Sequence, residues 1–204
     1  DLAEMELEIG SRDDPFVLSG QGTADLRGQD GFRLELDGRQ IDVARIARMR
    51  GSEGDVATLE QRIALVRGIL DEVPVPAING VLDFEIPAIV SGDTMLREIS
   101  TVVQPDGKRW KVRRLKATLP GNTVLEFSGS VGKGDDFGID GNLLIASRQP
   151  SGLAVWLAGK ASPHIRRIKR AGLSGSISAT PSQLDLQNLE IRLDDNLISG
   201  RINR

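Results

Sequence analysis

Apolar and polar residues alternate along most of this chain, and a period of two predicts β-strands with one apolar face. Met5, Leu7 and Ile9 alternate before a turn-like stretch from Ser11 to Pro15. Phe16-Val17-Leu18-Ser19-Gly20 follows, and Phe32, Leu34 and Leu36 then alternate into Asp37-Gly38. Asp-Gly is a hairpin-turn pair, with Ile41 and Val43 continuing beyond it, so residues 1–45 predict three or four strands. Gly51 to Gly54 is a polar break. Strands resume at Val81 to Ile86, with Leu82, Phe84 and Ile86 on one face, and at Met95 to Val103. Later, Phe137, Ile139, Leu143 and Ile145 alternate through Gly138 and Gly141, and Leu173 to Ala179 reads as another strand.

One stretch is written twice. Trp110-x-Val112-x-x-Leu115-x-Ala117-x-Leu119 has its counterpart in Leu184-x-Leu186-x-x-Leu189-x-Ile191-x-Leu193. Each copy breaks at a turn, Pro120-Gly121-Asn122 or Asp194-Asp195-Asn196, and resumes as a strand closing on Ser-Gly, at Ser128-Gly129 or Ser199-Gly200. Val103 and Pro105 precede the first copy, as Ala179 and Pro181 precede the second. The double step from Val112 to Leu115, repeated from Leu186 to Leu189, would turn the apolar face over unless a β-bulge or bend absorbs it. Two hairpins of one design predict a repetitive, curved antiparallel sheet.

The period changes in two places. From Asp55 to Glu72, the residues Leu59, Ile63, Val66 and Leu70 form one stripe of an α-helix; Thr58 and Gln61 fit a capping box, and Pro74 and Pro76 stop any extension. Such a helix would plug one end of the sheet's apolar face or, if exposed, serve as an amphipathic membrane or partner helix. From Gln149 to Ala171, the run Leu153 to Gly159 is helix-like, and Ser162-Pro163 reads as an N-cap and first helical residue, with Gly172 as the stop. The fold class expected is mainly β, a groove or open sandwich with a few short capping helices.

Composition narrows the function. The 204 residues are enough for a sizeable core, and the chain admits a division into 1–80 and 81–204. It begins at Asp1 and stops just past a strand-like Ile202-Asn203, so it reads as part of a longer repetitive protein. A net charge of -3 argues against nucleic acid as partner. With no cysteine, thiolate metal sites, disulfides and thiol nucleophiles are excluded. His164 is the one histidine, which leaves no imidazole cluster for a metal, and no G-x-S-x-G accompanies it. Asp135-Asp136 and Asp194-Asp195 could be paired carboxylates, but both fall at turns, where Asp is favoured for its backbone bonding. The expectation is a non-catalytic protein without metal or cofactor. His164 to Arg170 is a concentrated basic run; Ile165 and Ile168 would face inward, leaving Arg166, Arg167, Lys169 and Arg170 as a solvated face or for anionic headgroups or an acidic partner.

One-sided alternation over about a dozen strands makes more apolar surface than a few short helices cover. Either the sheet closes as a sandwich, a structural module for protein or glycan contact, or it curls into a trough that takes acyl chains. The lining of a trough would be Leu115, Ala117, Leu119, Leu125, Phe127, Val131, Ile139, Leu143 and Ile145. Aromatics make up only 3% of the chain, with no Tyr, which weakens glycan binding.

Several segments, in order, resemble the AsmA family: Leu36 to Asp42, Leu115 to Gly121, Phe127-Ser128-Gly129, Asp140 to Ile145 followed by Trp156 to Gly159, Leu173-Ser174-Gly175, and Thr180-Pro181 before Leu184-Asp185-Leu186. The likeness covers most of the chain and is strongest from about residue 81 onward. It implies a section of a Gram-negative bacterial envelope protein, anchored in the inner membrane by a helix absent from this chain and extending through the periplasm as a repetitive β-groove. It also implies a part in outer-membrane biogenesis and in phospholipid movement, with phospholipid as partner, and no catalytic residues.

Overall fold

The computed structural model describes residues 2–9, 16–25, 31–42, 61, 64, 67, 68, 70, 71, 73–91 and 94–203. They form one open, twelve-stranded sheet. Its strands are β1 Leu2–Ile9, β2 Phe16–Asp25, β3 Gly31–Gly38, β4 Ile41–Asp42, β5 Gly80–Ser91, β6 Thr94–Asp106, β7 Arg109–Leu119, β8 Thr123–Val131, β9 Ile139–Ser147, β10 Ala171–Thr180, β11 Gln183–Leu193 and β12 Asn196–Asn203. From β5 to β12 every strand pairs antiparallel with its sequence neighbour. β1 and β12 are the two ends of the sheet, so the closed sandwich weighed above is not formed.

The two written copies are two hairpins with the same irregularity. In β7–β8 the register shifts between Val112 and Leu115, and in β11–β12 it shifts between Leu186 and Leu189. The double step is therefore a bulge in both, as the pattern requires. Asn188 takes a left-handed φ of 50° inside the second bulge, a conformation that Asn tolerates better than most residues. The Ser-Gly endings, in contrast, are not equivalent. Gly129 lies opposite Val112, beyond the bulge, whereas Gly200 lies opposite Leu189, before it.

Four expectations are corrected. Asp37-Gly38 makes no hairpin: β3 pairs with β5 in parallel from Phe32↔Gly80 to Asp37↔Glu85, and β4 continues on the same strand at Ile41↔Ile89. The offset between partners is unchanged across Arg39-Gln40, so β3 and β4 are one strand with a gap. Parallel strands need a crossover, which is why the helical stretch falls between them. Second, Phe137 is outside the strand it was expected to open; it ends a 3-10 turn over Gly134–Asp136, and β9 begins at Ile139. Third, the segment after Ser162 is no helix reaching Gly172. Ser162 Oγ accepts the Ile165 N–H at 3.3 Å, but only Ile165–Arg167 closes, as a 3-10 turn, before Ile168 turns extended. Asp194 Oδ1 draws the chain out, accepting the Lys169 and Arg170 N–H groups at 3.0 and 2.9 Å. Fourth, the apolar helix begins earlier than expected: α1 spans Pro150–Ala158, with Pro at its start and Gly159 at φ 69° as its stop.

Of the other helical stripe, Leu59, Ile63 and Val66 lie outside the described residues. Gln61, Ala64, Arg67, Gly68, Leu70 and Asp71 are helical, and Leu70 is half-buried. This region is tied to the β8–β9 loop. Asp71 Oδ1 accepts the Gly134 N–H at 2.7 Å, Arg67 Nη2 donates to Gly134 O at 3.2 Å, and Lys133 Nζ donates to Val73 O at 2.9 Å. The Arg67 guanidinium also stands 5.1 Å from the centre of the Phe137 ring. From Val73 the chain must reach Gly80 at the head of β5, three strand spacings or about 14 Å away. Residues 73–80 span about 24 Å when extended, and Pro74 and Pro76 favour that form. The segment is a strap across the ends of β6 and β7.

Candidate functional site

Cross-strand pairing fixes which side chains share a face. Leu115 stands opposite Phe127 and Phe127 opposite Leu143; Ala117 opposite Leu125 and Leu125 opposite Ile145; Val131 opposite Ile139. Leu119 joins the same face through Thr123. All nine residues expected to line a trough therefore lie together.

The face extends far beyond those three strands. One row runs Gly22, Leu34, Leu82, Val103, Val112, Gly129, Gly141, Ile177, Leu186 and Ile202 without a polar side chain, across ten consecutive strands. Nine spacings at about 4.8 Å make it roughly 43 Å long. A second row runs from Met5 through Gly20, Leu36, Phe84, Thr101, Leu115, Phe127 and Leu143 to Gly175. Leu189 lies against Gly175 and opposite Gly200, which completes that row. Large side chains here often face glycines: a Cβ on Gly80 would lie 2.3 Å from the Phe32 ring.

The opposite face is polar. Lys111, Ser130, Asp140, Ser178, Asp185 and Asn203 form one of its rows. Asp140 accepts from Ser178 Oγ at 2.7 Å and from Arg109 Nη2 at 2.9 Å. Those two bonds, the Ser178 hydroxyl first, hold its carboxyl below the usual range.

The apolar face is incompletely covered. Leu18, Phe32, Leu36, Trp110, Val112, Ala117, Phe127 and Leu189 are buried and all lie on it. Leu115, Leu119, Leu125, Val131, Ile139, Leu143 and Ile145 are half-buried, and Ile198 and Ile202 are exposed. Of the nine expected lining residues, Ala117 and Phe127 thus belong to the core, and the other seven are within reach of solvent.

One rim carries α1. Thr123 and Ser147 face each other across β8 and β9 and are 0% and 3% exposed. Their hydroxyls lie 2.8 Å apart, with Pro120 O 2.9 Å from Thr123 Oγ1 and Gly121 O 3.2 Å from Ser147 Oγ. The Gln149 N–H donates to Gly121 O at 2.9 Å, and a Cβ on Gly152 would lie 2.9 Å from Gly121 Cα. Only glycine at both positions lets α1 sit this tightly on the β7–β8 turn. Sequence reasoning missed this buried hydroxyl pair, because a lone Thr and a lone Ser at strand ends read as surface.

A concavity of about 1200 Å³ opens on the polar face at this rim. Val124, Leu144 and Leu197 mix there with Arg148, Arg192, Glu190 and Asp195, so it offers no continuous apolar floor. The paired carboxylates are turn residues. Asp135 and Asp136 are exposed in the 3-10 turn, and Asp194 is engaged with backbone N–H groups. His164 is exposed. Among the described residues no group of three or more His, Asp or Glu could hold a metal ion, and no helix is long and apolar enough to cross a membrane.

No protein-family model, curated protein or solved structure matches this chain.

Proposed function

We propose that the apolar face binds acyl chains, and that the chain is a section of a lipid-conducting envelope protein of the AsmA type. On this reading it acts in the periplasm on phospholipid, without catalysis, in outer-membrane biogenesis. The observation that carries the reading is the unbroken apolar row from Gly22 to Ile202 on a half-buried face. An apolar surface of this length is costly to leave in water, at about 25 cal/mol per Å², and an acyl chain relieves that cost without any directional bond. The row crosses the strands, so an acyl chain could shift along it past chemically similar sites. Glycines opposite large side chains keep the floor even, and the polar row on the other face keeps the sheet soluble.

Native mass spectrometry of the purified chain tests this. Co-purifying phospholipid, and uptake of a fluorescent fatty acid competed by unlabelled lipid, are the expected results. A lipid-free spectrum together with no uptake would remove the proposal and leave an interaction module.

A further inference from the structure

We propose that the rim formed by α1 and the turn after it is a docking surface for an anionic membrane, independent of what the apolar face binds. The chain carries 29 Asp and Glu, and none falls between residues 141 and 184. Six Lys and Arg do: Arg148, Lys160, Arg166, Arg167, Lys169 and Arg170. In a chain with a net charge of -3, the connection between β9 and β10 is thus basic and free of carboxylates.

That connection also exposes apolar surface. α1 holds no charged residue, and Val155 and Leu157 are 49% and 38% exposed. The 3-10 turn with Arg166 and Arg167 packs beside α1, with Ile165 and Ile168 half-buried and both arginines exposed. The acidic groups near this surface are Glu190 of β11 and Asp194 and Asp195 of the β11–β12 turn. Asp194 Oδ1 accepts the Lys169 and Arg170 N–H groups and keeps its charge, so three carboxylates stand against the six cations of the connection.

An acidic protein would account for the arginines, but the exposed Val155 and Leu157 beside them call for an apolar layer next to a negative one. A bilayer surface supplies both, with headgroups outside and acyl chains within 5–10 Å. Trp156, half-buried in the same helix, is a residue type favoured at that boundary. α1 is also held rigidly, through Gly121 and Gln149, so its ordering costs little on contact.

The test is flotation of the intact chain with vesicles of phosphatidylcholine alone or with 30% (roughly) phosphatidylglycerol added. Binding to the anionic vesicles, and its loss in about 0.5 M salt, is expected. Arg166→Gln with Arg167→Gln should weaken it roughly 30-fold, while fatty-acid uptake and the melting temperature stay at the parent values. Val155→Asn with Leu157→Asn should weaken it as well, which charge attraction alone does not predict. Equal binding to neutral vesicles, or unchanged binding by either double variant, would overturn the proposal. So would retention by soluble polyglutamate without vesicle binding, which assigns the rim to an acidic macromolecule.

Discussion

The Thr123 and Ser147 hydroxyls meet at 2.8 Å in a place sealed from water, and through them the β7–β8 turn and the start of α1 share one bonding network. Thr123→Val keeps the shape and removes the oxygen, so buried carbonyl and hydroxyl groups lose a partner. The expected loss is about 1–3 kcal/mol, read from urea unfolding. Ser147→Ala should cost less in that variant than in the parent, because the two groups act together.

Gly129 and Gly200 close the two repeated hairpins in sequence but stand in different surroundings. A Cβ on Gly129 would meet Asp140 O at 2.0 Å, whereas one on Gly200 meets nothing within 4 Å. Gly129→Ala should destabilise by about 1–3 kcal/mol or more. Gly200→Ala should change the melting midpoint little, and equal effects at both positions would refute this account of the register.

Charge placed on the apolar face should separate reachable positions from core. Phe127 is 8% exposed, so Phe127→Glu buries an unpaired carboxylate and should cost several kcal/mol. Leu143, directly opposite, is half-buried, and a Glu there can extend to water. Leu143→Glu should therefore keep the cooperative melt while lowering fatty-acid uptake. Unfolding of both variants would show that the face is closed to solvent in solution.

Asp140 gives the pH dependence a sign. Its carboxyl is held low by the Ser178 hydroxyl and then by Arg109, so the folded chain binds its proton less readily than the unfolded chain does. The stabilisation is present above the unfolded value of about 3.9 and is lost as pH falls through the lower folded value. Asp140→Asn should melt below the parent at neutral pH, and the gap should close as pH falls through the lowered folded value of Asp140. The site is half exposed, so the gap is small.

Much of the sheet was legible because one-sided burial enforces a period of two. The step from Val112 to Leu115 announced a bulge or a bend, since one of the two must keep Leu115 on the face of Trp110, and the register shift shows a bulge. Pairing partners are less local. Asp37-Gly38 has the right residues for a hairpin, yet the strand runs through, because Ile41 and Asp42 find the free edge of β5. Ser162-Pro163 does cap a helical turn, but Asp194, 32 positions away in the chain, decides where that turn ends. Of the candidate lining, the sequence pattern placed all nine residues on one side. It could not rank their exposure, which depends on curvature and on the chain laid over the strand ends.

The strap from Val73 to Gly80 has a mechanical consequence. Nearly all other ties in the sheet join neighbouring strands, so a pull on the C-terminal end peels β12 from β11 and then β11 from β10, one row of bonds at a time. When the tear reaches the β8–β9 loop it meets Asp71, Arg67 and the Val73 carbonyl, anchored by a chain that begins again at β5. Beyond that point the load is shared across β5 to β8 rather than carried by a single seam. Under tension, β9–β12 should yield as a soft extension and β5–β8 as a stiff block, giving two distinct force plateaus in a single-molecule pull.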